Sequence, residues 1–255
     1  MSTQRASRQG IHDLRRRMLA GEELLGTFLD LGSALAAEIT EGAGFDWLVV
    51  DLEHGTGGRE ATLAQLQALR APAIVRVPHA ASEEIGWVLD HGAAGVLVPR
   101  VQGIRDAASA VAATRYGGAR GLDPGSRASA FGRDGGYAER ADEERVVMVQ
   151  IETRGALDSA AEIAALPGVN VLFLGPYDLG HALGLPPGPE SPEMLEAAGR
   201  VATAAREGGR GAAVFLGDPG LAPRYRELGF TLIATGSAAG LLAGTYAERL
   251  AALRT

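Results

Sequence analysis

Eight short hydrophobic runs, separated by alanine- and leucine-rich stretches, set the strongest limit on how this chain can fold. Each run has the length of a buried strand and each stretch between them has the composition of a helix, which is typical of βα units rather than of a β-sandwich. Eight such units in 255 residues predict a (β/α)₈ TIM barrel. The predicted strands are Leu24–Leu31, Asp46–Asp51, Ala73–Val77, Gly95–Pro99, Val146–Ile151, Asn170–Leu174, Ala212–Leu216 and Thr231–Thr235.

A weak internal repeat supports this pattern. In the segments EGAGFDWLVVD, DHGAAGVLVPR, LPGVNVLFLGP and ELGFTLIATG, a helix end is followed by a glycine and then by a hydrophobic run. Glycine adopts the left-handed conformation at which many helices stop. We therefore expect a glycine turn before the strand in each of these units.

One segment interrupts the repeat. Tyr116–Glu144 is rich in Gly, Arg, Asp and Ser and lies between the fourth helix and the fifth strand. A loop of this length is usually functional or disordered, and a surface excursion without a function is the alternative. The glycine-rich stretch at 208–211 lacks the Walker pattern, so it predicts the end of a helix rather than a phosphate loop.

Composition excludes several classes of protein. The absence of cysteine excludes disulfides, thiolate nucleophiles and Cys-ligated zinc. No apolar run reaches about 18 residues, so no membrane span is expected. The net charge of −7 argues against nucleic acid or an anionic membrane as a partner. Residues 1–22 are expected to be a helical extension of a single barrel domain, 1–255, rather than an export signal, and the cytoplasm is the expected location.

The chain contains no lysine, and this limits its possible carbonyl chemistry. Schiff-base catalysis needs a side-chain amine, so an enolising enzyme of this sequence would need a metal ion as its electron sink. Glu152 and Asp178 follow consecutive predicted strands, and two carboxylates suit Mg²⁺ or Mn²⁺ better than zinc. A helix N-cap or a rim salt bridge is the alternative for each carboxylate, and Asp178 could instead pair with His181.

Two further side chains at predicted strand ends favour a reactive site. His54 lies three residues after Asp51, close enough for the carboxylate to orient the imidazole of a general base. Arg76 ends an apolar strand, where a charge facing the barrel interior needs an anionic partner. An ion pair of purely structural importance, with Glu53 or Asp51, is the alternative for Arg76.

Six segments in the same order resemble the HpcH/HpaI aldolase family. They are FDWLVVDLEHG, AIVRVP, GAAGVLVPRV, ATRYGGARGLDPGSRASAFG, VVMVQIET and VLFLGPYDLGHALG, and the resemblance extends over about Gly26 to Thr235. It implies a class II pyruvate aldolase that depends on Mg²⁺ or Mn²⁺, with Co²⁺ possible. It also implies a homo-oligomer, a hexamer built as a trimer of dimers, in which C-terminal helices are exchanged between subunits.

The resemblance also implies roles for individual residues. His54 matches the catalytic base and Asp51 its acidic partner, while Arg76 matches the arginine that stabilises the pyruvate enolate. Glu152 and Asp178 match the metal ligands.

Other positions match substrate contacts or contributions from a neighbouring subunit. Asp90 matches an acidic residue that supports the histidine of the neighbouring subunit, and Arg120 belongs to the loop on the aldehyde side of the site. Tyr177 replaces what is often a smaller residue, so its ring is expected to reshape the entrance. The implied substrate-binding residues are Gln150, Pro176, Tyr177, Asp178, Arg120 and Leu216.

The function implied is reversible cleavage of a 4-hydroxy-2-oxo acid into pyruvate and an aldehyde, through a pyruvate enolate held by the metal ion. Small keto acids and aldehydes are therefore the expected partners. An oxaloacetate-type decarboxylase using the same site is one alternative, because the same enolate would form. A non-catalytic barrel that binds keto acids is another.

Overall fold

Eight parallel strands close into a barrel in the order of the chain, and β8 pairs with β1. The computed structural model describes residues 13–80, 82–186 and 188–254. All eight predicted strands are present, with ends that differ from the prediction by at most two residues, so the (β/α)₈ fold is confirmed. The strands are β1 Leu24–Leu29, β2 Trp47–Asp51, β3 Ala73–Arg76, β4 Gly95–Val98, β5 Val146–Ile151, β6 Val171–Leu174, β7 Gly211–Leu216 and β8 Leu232–Ser237.

Helices surround the strands. Helix α1 includes residues 13–19, so the part of the predicted 1–22 extension before residue 13 lies outside the described residues. A 3₁₀ turn, Pro219–Leu221, precedes α11. The remaining helices are α2 Ala34–Glu41, α3 Arg59–Ala68, α4 Ser82–Asp90, α5 Ile104–Thr114, α6 Tyr137–Glu144, α7 Arg154–Asp158, α8 Ala160–Ala165, α9 Pro176–Leu183, α10 Pro192–Glu207, α11 Ala222–Glu227 and α12 Ala238–Arg254.

The predicted glycine turns are present in all four repeat segments. Gly44, Gly92, Gly168 and Gly229 have φ angles of 90°, 98°, 105° and 102° and precede β2, β4, β6 and β8. A side chain is strained at such angles, which explains the recurrence of glycine. The stretch at 208–211 ends α10 at Gly208, as predicted.

Two hydrophobic layers follow from the alternation of side chains along each strand. The layer inside the barrel contains Phe28, Trp47, Val49, Ile74 and Phe173, together with their neighbours. A larger layer fills the space between the strands and the helices. Because neighbouring residues on a strand face opposite layers, the inward rows can be followed residue by residue to the carboxyl ends of the strands.

The Tyr116–Glu144 segment is more ordered than its composition indicated. Its last eight residues form α6, and Tyr137 and Ala141 on that helix pack with Ala128 in a small buried cluster. An ion pair between Arg140 and Glu144, one helical turn apart, adds support at 2.7 Å. The prediction of a continuous loop is therefore wrong for residues 137–144.

The last helix stands apart from the barrel layers. No residue of α12 is buried, although the helix carries large apolar side chains. Within the part of the chain that the structure describes, no helix is both long and apolar enough to span a bilayer.

Candidate active site

The inward rows of side chains end in polar residues at the carboxyl end of the barrel. On β2 the inward residues Trp47 and Val49 are followed by Asp51, and on β3 Ile74 is followed by Arg76. On β5 the same alternation places Gln150 inward, with Glu152 just beyond the strand end. The carboxyl ends of parallel barrel strands meet at one face, so these residues share one mouth.

Asp51 and Arg76 form a bidentate ion pair between adjacent strands. Arg76 Nε donates to Asp51 Oδ1 at 2.8 Å, and Arg76 Nη2 donates to Asp51 Oδ2 at 2.6 Å. Burial acts to lower the pKa of Arg76, but the hydrogen bonds to Asp51 and the charges of Glu53 and Glu152 raise it overall. Arg76 is therefore a fixed cation at the cavity wall.

Glu53 connects Arg76 to a second arginine. Its side chain is buried, and its carboxylate lies 3.3 Å from Arg76 Nη1 and accepts from Arg100 Nε at 2.9 Å. The ion pairs predicted as an alternative for Arg76 are therefore both present. They do not remove Arg76 from the cavity, because it lines the same pocket as His54.

His54 exposes its imidazole at the cavity mouth, with 62% of the side chain accessible. The Asp51 carboxylate accepts from the backbone N–H groups of Glu53 and His54, at 3.0 and 3.3 Å, and so holds the turn that carries the histidine. The carboxylate closest to the imidazole is that of Glu53, 3.9 Å from His54 Nε2. Asp51 thus positions His54 through the backbone, and its pairing with the imidazole stays a prediction.

Glu152 is a buried carboxylate held on both oxygens. Oε1 accepts from the backbone N–H of Arg100 at 2.5 Å, and Oε2 accepts from Gln150 Nε2. Burial raises the pKa of Glu152 to about 7; the hydrogen bond from Arg100 opposes this, while the charges of Asp178 and Glu53 add to it. The carboxylates of Glu152 and Asp178 therefore lie close enough for their charges to interact unfavourably.

Asp178 lies in the first turn of α9, facing the same region as Glu152. It lines two cavities, one of which it shares with Glu152. Thr153 caps α7 and α9 has no side-chain cap, so the helix-cap alternative is wrong for both carboxylates. Neither forms a salt bridge with any residue in the described ranges. His181 is exposed farther along α9, as predicted.

These donors fit a hard divalent cation. Glu152 and Asp178 supply carboxylate oxygens and repel each other electrostatically, and Gln150 Oε1 is buried without a hydrogen-bond partner. Gly175 leaves space here, because a Cβ at that position would lie 2.9 Å from Glu152 Oε2. Among the residues that the structure describes, no group of three or more His, Cys, Asp or Glu side chains is arranged to hold a metal. Glu152 and Asp178 are therefore the two carboxylates that could bind the cation. Such a site would leave coordination positions of the cation for a substrate.

The cavity has two lobes that share His54 and Asp178. The first has a volume of about 290 Å³ and includes Arg76 and Gln150. The second, the polar lobe, has a volume of about 280 Å³ and is lined by residues with polar or charged side chains. The first lobe, called the aromatic lobe below, is lined by four aromatic rings, those of Phe28, Phe173, Tyr177 and Phe215.

Tyr177 contributes to the shape of the first lobe. Its ring lies 6.3 Å from that of Phe215, and its hydroxyl closes over Gly217 at the end of β7. Pro176 lines the same lobe, as predicted. The ring of Tyr177 lines the first lobe. Its expected effect on the shape of the entrance stays a prediction.

The side chain of Leu216 does not line the cavity. It is fully buried in the layer between the strands and the helices, whereas the preceding Phe215 faces the cavity. The two residues are neighbours on a strand, so only one of them can point inward. Counting the alternation from Ala213, which lies in the inner layer, would have selected Phe215.

Asp90 and Arg120 lie away from the chain's own mouth. Asp90 ends α4, just before β4, and its carboxylate accepts from Arg120 Nη2 at 2.5 Å. The guanidinium of Arg120 stacks over the Tyr116 ring, 4.1 Å from its centroid. This pair is therefore at the amino-terminal end of the barrel. The site roles of Asp90 and Arg120 stay predictions.

Sequence reasoning missed several residues of the cavity. Arg100 follows β4 and lines the polar lobe, and Phe28, Asp30 and Ser237 line the aromatic lobe. Asp30 continues the inward row of β1 after Phe28, so strand parity could have identified it. Arg100 has a φ of 55°, and no sequence signal indicates that conformation for an arginine.

Comparisons with known proteins show which family the chain resembles. The family model described as HpcH/HpaI aldolase/citrate lyase matches residues 24–244. A 4-hydroxy-2-oxo-heptane-1,7-dioate aldolase of Escherichia coli is 37% identical over 94% of each chain, and a 4-hydroxy-2-oxovalerate aldolase of Rhodococcus jostii is 39% identical over 91% of this chain and 92% of its own.

A solved structure is also similar. The crystal structure of an HpcH/HpaI aldolase/citrate lyase family protein from Burkholderia cenocepacia superposes with a TM-score of 0.91 at 34% identity, over 96% of this chain and 100% of that chain. The resemblance of the six sequence segments is thereby confirmed. The chain belongs to the HpcH/HpaI aldolase/citrate lyase family.

Proposed function

We propose that this protein is a divalent-metal-dependent carbon–carbon lyase that cleaves a 4-hydroxy-2-oxo acid into pyruvate and an aldehyde, and that catalyses the reverse aldol addition. The observation that carries the proposal is the convergence of His54, Arg76, Glu152 and Asp178 on one cavity. The absence of lysine leaves no amine for a Schiff base. The names of the similar aldolases from Escherichia coli and Rhodococcus jostii support the same reaction class.

Glu152 and Asp178 would hold the cation, with Gln150 beside them. A bound Mg²⁺ or Mn²⁺, or Co²⁺ as a further candidate, supplies a Lewis acid that polarises the keto group of the substrate. The Glu152 carboxylate is kept in place by Arg100 and Gln150, which orients it before any ligand arrives. A bound cation would relieve the electrostatic repulsion between the two carboxylates.

His54 and Arg76 would act on the substrate itself. His54 takes the proton of the 4-hydroxyl group as the C3–C4 bond breaks and the aldehyde forms. The electron pair of the broken bond goes to C3 and the 2-oxygen, giving the enolate of pyruvate, which is then protonated at C3. Arg76 donates N–H groups to the charged oxygen, and its ion pairs with Asp51 and Glu53 fix its direction.

A chelation experiment tests the proposal. The purified protein is treated exhaustively with a chelator and assayed for pyruvate release from 4-hydroxy-2-oxovalerate and from 4-hydroxy-2-oxo-heptane-1,7-dioate. We expect activity to be lost and to return with Mg²⁺ or Mn²⁺. Full activity in the chelated sample would end the metal proposal, and release of pyruvate from oxaloacetate alone would make the protein a decarboxylase.

We also propose that the active assembly is a homo-oligomer that exchanges α12, and that Asp90 and Arg120 serve the site of a neighbouring subunit. The support is that α12 buries none of its residues within its own subunit. Leu35 and Ile39 on α2 are also exposed, at the face of the barrel next to β1. The exposed large apolar side chains of α12 are Leu241, Leu242, Tyr246, Leu250 and Leu253.

A further inference from the structure

The turn after β4 is tied to the end of β5 by three contacts. The backbone N–H of Arg100 donates to Glu152, and Thr153 Oγ1 donates to the carbonyl of Val101 at 2.7 Å. Gly155 approaches the carbonyl oxygen of Gln102 so closely that a Cβ there would lie 2.2 Å from it. The position of the Glu152 carboxylate therefore depends on the conformation of the preceding βα turn.

Arg100 holds that turn in a conformation that a non-glycine residue rarely adopts. Its φ is 55°, in the left-handed region, where the Cβ is crowded by the backbone. Strain of this kind persists only where surrounding contacts enforce it. Here the carbonyl of Arg100 accepts from Gln102 Nε2 at 3.0 Å, and the amide is fixed on Glu152.

The side chain of Arg100 supplies the remaining anchor. Its Nε donates to Glu53 Oε1 at 2.9 Å, and the Glu53 side chain is only 4% exposed. Glu53 is itself fixed by Arg76 from the adjacent strand. Ion pairs thus connect Asp51, Arg76, Glu53 and Arg100 in series, and the backbone N–H of Arg100 extends the series to Glu152.

We propose that Arg100 is a positioning residue: its ion pair with the buried Glu53 keeps the strained peptide in place, so that the backbone N–H aims the Glu152 carboxylate at the cation. The inference deepens the proposed function, on which it rests, and assigns Arg100 no contact with the substrate. The roles of the Arg100 backbone and guanidinium can be separated by experiment. Glycine can adopt the same φ without strain, so a glycine at this position needs no side-chain anchor.

The positioning role of Arg100 can be tested by measuring Mn²⁺ binding with electron paramagnetic resonance, which does not depend on enzymatic activity. Arg100→Ala keeps the strain and loses the anchor, and we expect its Mn²⁺ affinity to fall about tenfold or more, the range for lost outer contacts of a metal ligand. Arg100→Gly loses the strain as well, and we expect it to recover a measurable part of that affinity. Arg200→Ala, which breaks an exposed ion pair with Asp158, is the matched control.

A double-mutant cycle with Glu53→Gln completes the test. In the wild-type background this substitution should weaken Mn²⁺ binding, and in the Arg100→Gly background that effect should largely vanish. Wild-type affinity in Arg100→Ala, or an Arg100→Gly variant no better than Arg100→Ala, would overturn the inference. Absence of Mn²⁺ binding by the wild-type protein would instead count against the proposed function, so the two failures are distinguishable.

Discussion

Asp51 and Arg76 face each other across the register of β2 and β3, and two hydrogen bonds of 2.8 and 2.6 Å join their side chains. A planar guanidinium and a carboxylate match in this two-point geometry, which an ammonium cannot reproduce. The pair therefore fixes the plane of the Arg76 guanidinium, and with it the direction in which the remaining N–H groups point.

Arg76→Lys is expected to reduce kcat by on the order of a hundred- to a thousand-fold although the charge is retained, since oriented donors to a developing oxyanion contribute about this much. Pyruvate release from a 4-hydroxy-2-oxo acid, coupled to lactate dehydrogenase, measures the effect. Arg59→Lys is the control, because Arg59 forms an exposed pair with Glu84 at 2.9 Å. Near wild-type turnover in Arg76→Lys would show that the arginine has only a structural role.

His54→Gln is expected to lower the rate of cleavage by on the order of 10²- to 10⁴-fold, the usual contribution of a positioned general base. His181→Gln is the matched control, because His181 is exposed on α9 and outside both lobes of the cavity. Steady-state rates at saturating Mn²⁺ compare the two variants. An equal loss in both would restore the alternative in which His181 pairs with Asp178 as a ligand.

Most of the fold and part of the site could be predicted from the sequence. The alternation of side chains along each strand explains which site residues were predicted correctly and which were not. The eight strands were visible as hydrophobic runs, and acidic or basic residues at their ends identified Asp51, Arg76, Glu152 and Asp178. The resemblance implied Leu216, whereas the inward row of β7 leads to Phe215, because one step along a strand moves a side chain to the other layer.

Other features of the site were only partly indicated by the sequence, which offered Glu53 as a partner of Arg76 but did not indicate its second pairing with Arg100. The buried position of Glu53 between two arginines depends on the relative placement of β2, β3 and β4, and the left-handed Arg100 depends on contacts with the β5 end. These are tertiary effects, which local propensity does not encode. The helix at residues 137–144 was not predicted because most of its residues are charged. Only Tyr137 and Ala141 form its buried side, which is too little to give a clear helical pattern.

Gly175→Ala is expected to weaken Mn²⁺ binding by about tenfold or more and to lower activity with it. The added methyl would lie 2.9 Å from Glu152 Oε2 and 3.0 Å from Gln150 Nε2, whereas the φ of −102° suits alanine. Titration with Mn²⁺ measures the affinity, and thermal unfolding shows whether the barrel is intact. Gly135→Ala, where a Cβ meets open space, is the control. Wild-type Mn²⁺ affinity in Gly175→Ala would place the cation elsewhere.

Replacement of Leu250 and Leu253 together by aspartate is expected to reduce the mass of the assembly in solution, because the proposed exchange would bury two charges in place of two exposed apolar side chains. Light scattering coupled to size-exclusion chromatography measures the mass. Glu248→Gln on the same helix changes a charge without removing an apolar group and should leave the mass unchanged. An unaltered mass in the double variant would mean that α12 is not exchanged.

Tyr137 accepts hydrogen bonds from two buried arginines, and this makes its hydroxyl important for stability. Arg145 Nη2 donates to the phenol oxygen at 2.6 Å and Arg120 Nη2 at 3.4 Å. Burial alone would raise the pKa of Tyr137, but the charges of Arg145 and Arg120 outweigh it and the pKa is lowered. The hydroxyl oxygen of Tyr137 therefore accepts hydrogen bonds from two charged and buried guanidinium groups.

Tyr137→Phe is expected to lower the free energy of unfolding by about 2–3 kcal/mol, since it leaves a buried guanidinium N–H without an acceptor. Tyr225→Phe is the matched comparison: that phenol is also buried but donates to the neutral carbonyl of Pro189 at 3.0 Å, so its loss should cost about 1 kcal/mol. Urea unfolding of both variants gives the two values. A loss in Tyr137→Phe no larger than that in Tyr225→Phe would show that solvent or the backbone takes over the two guanidinium donors.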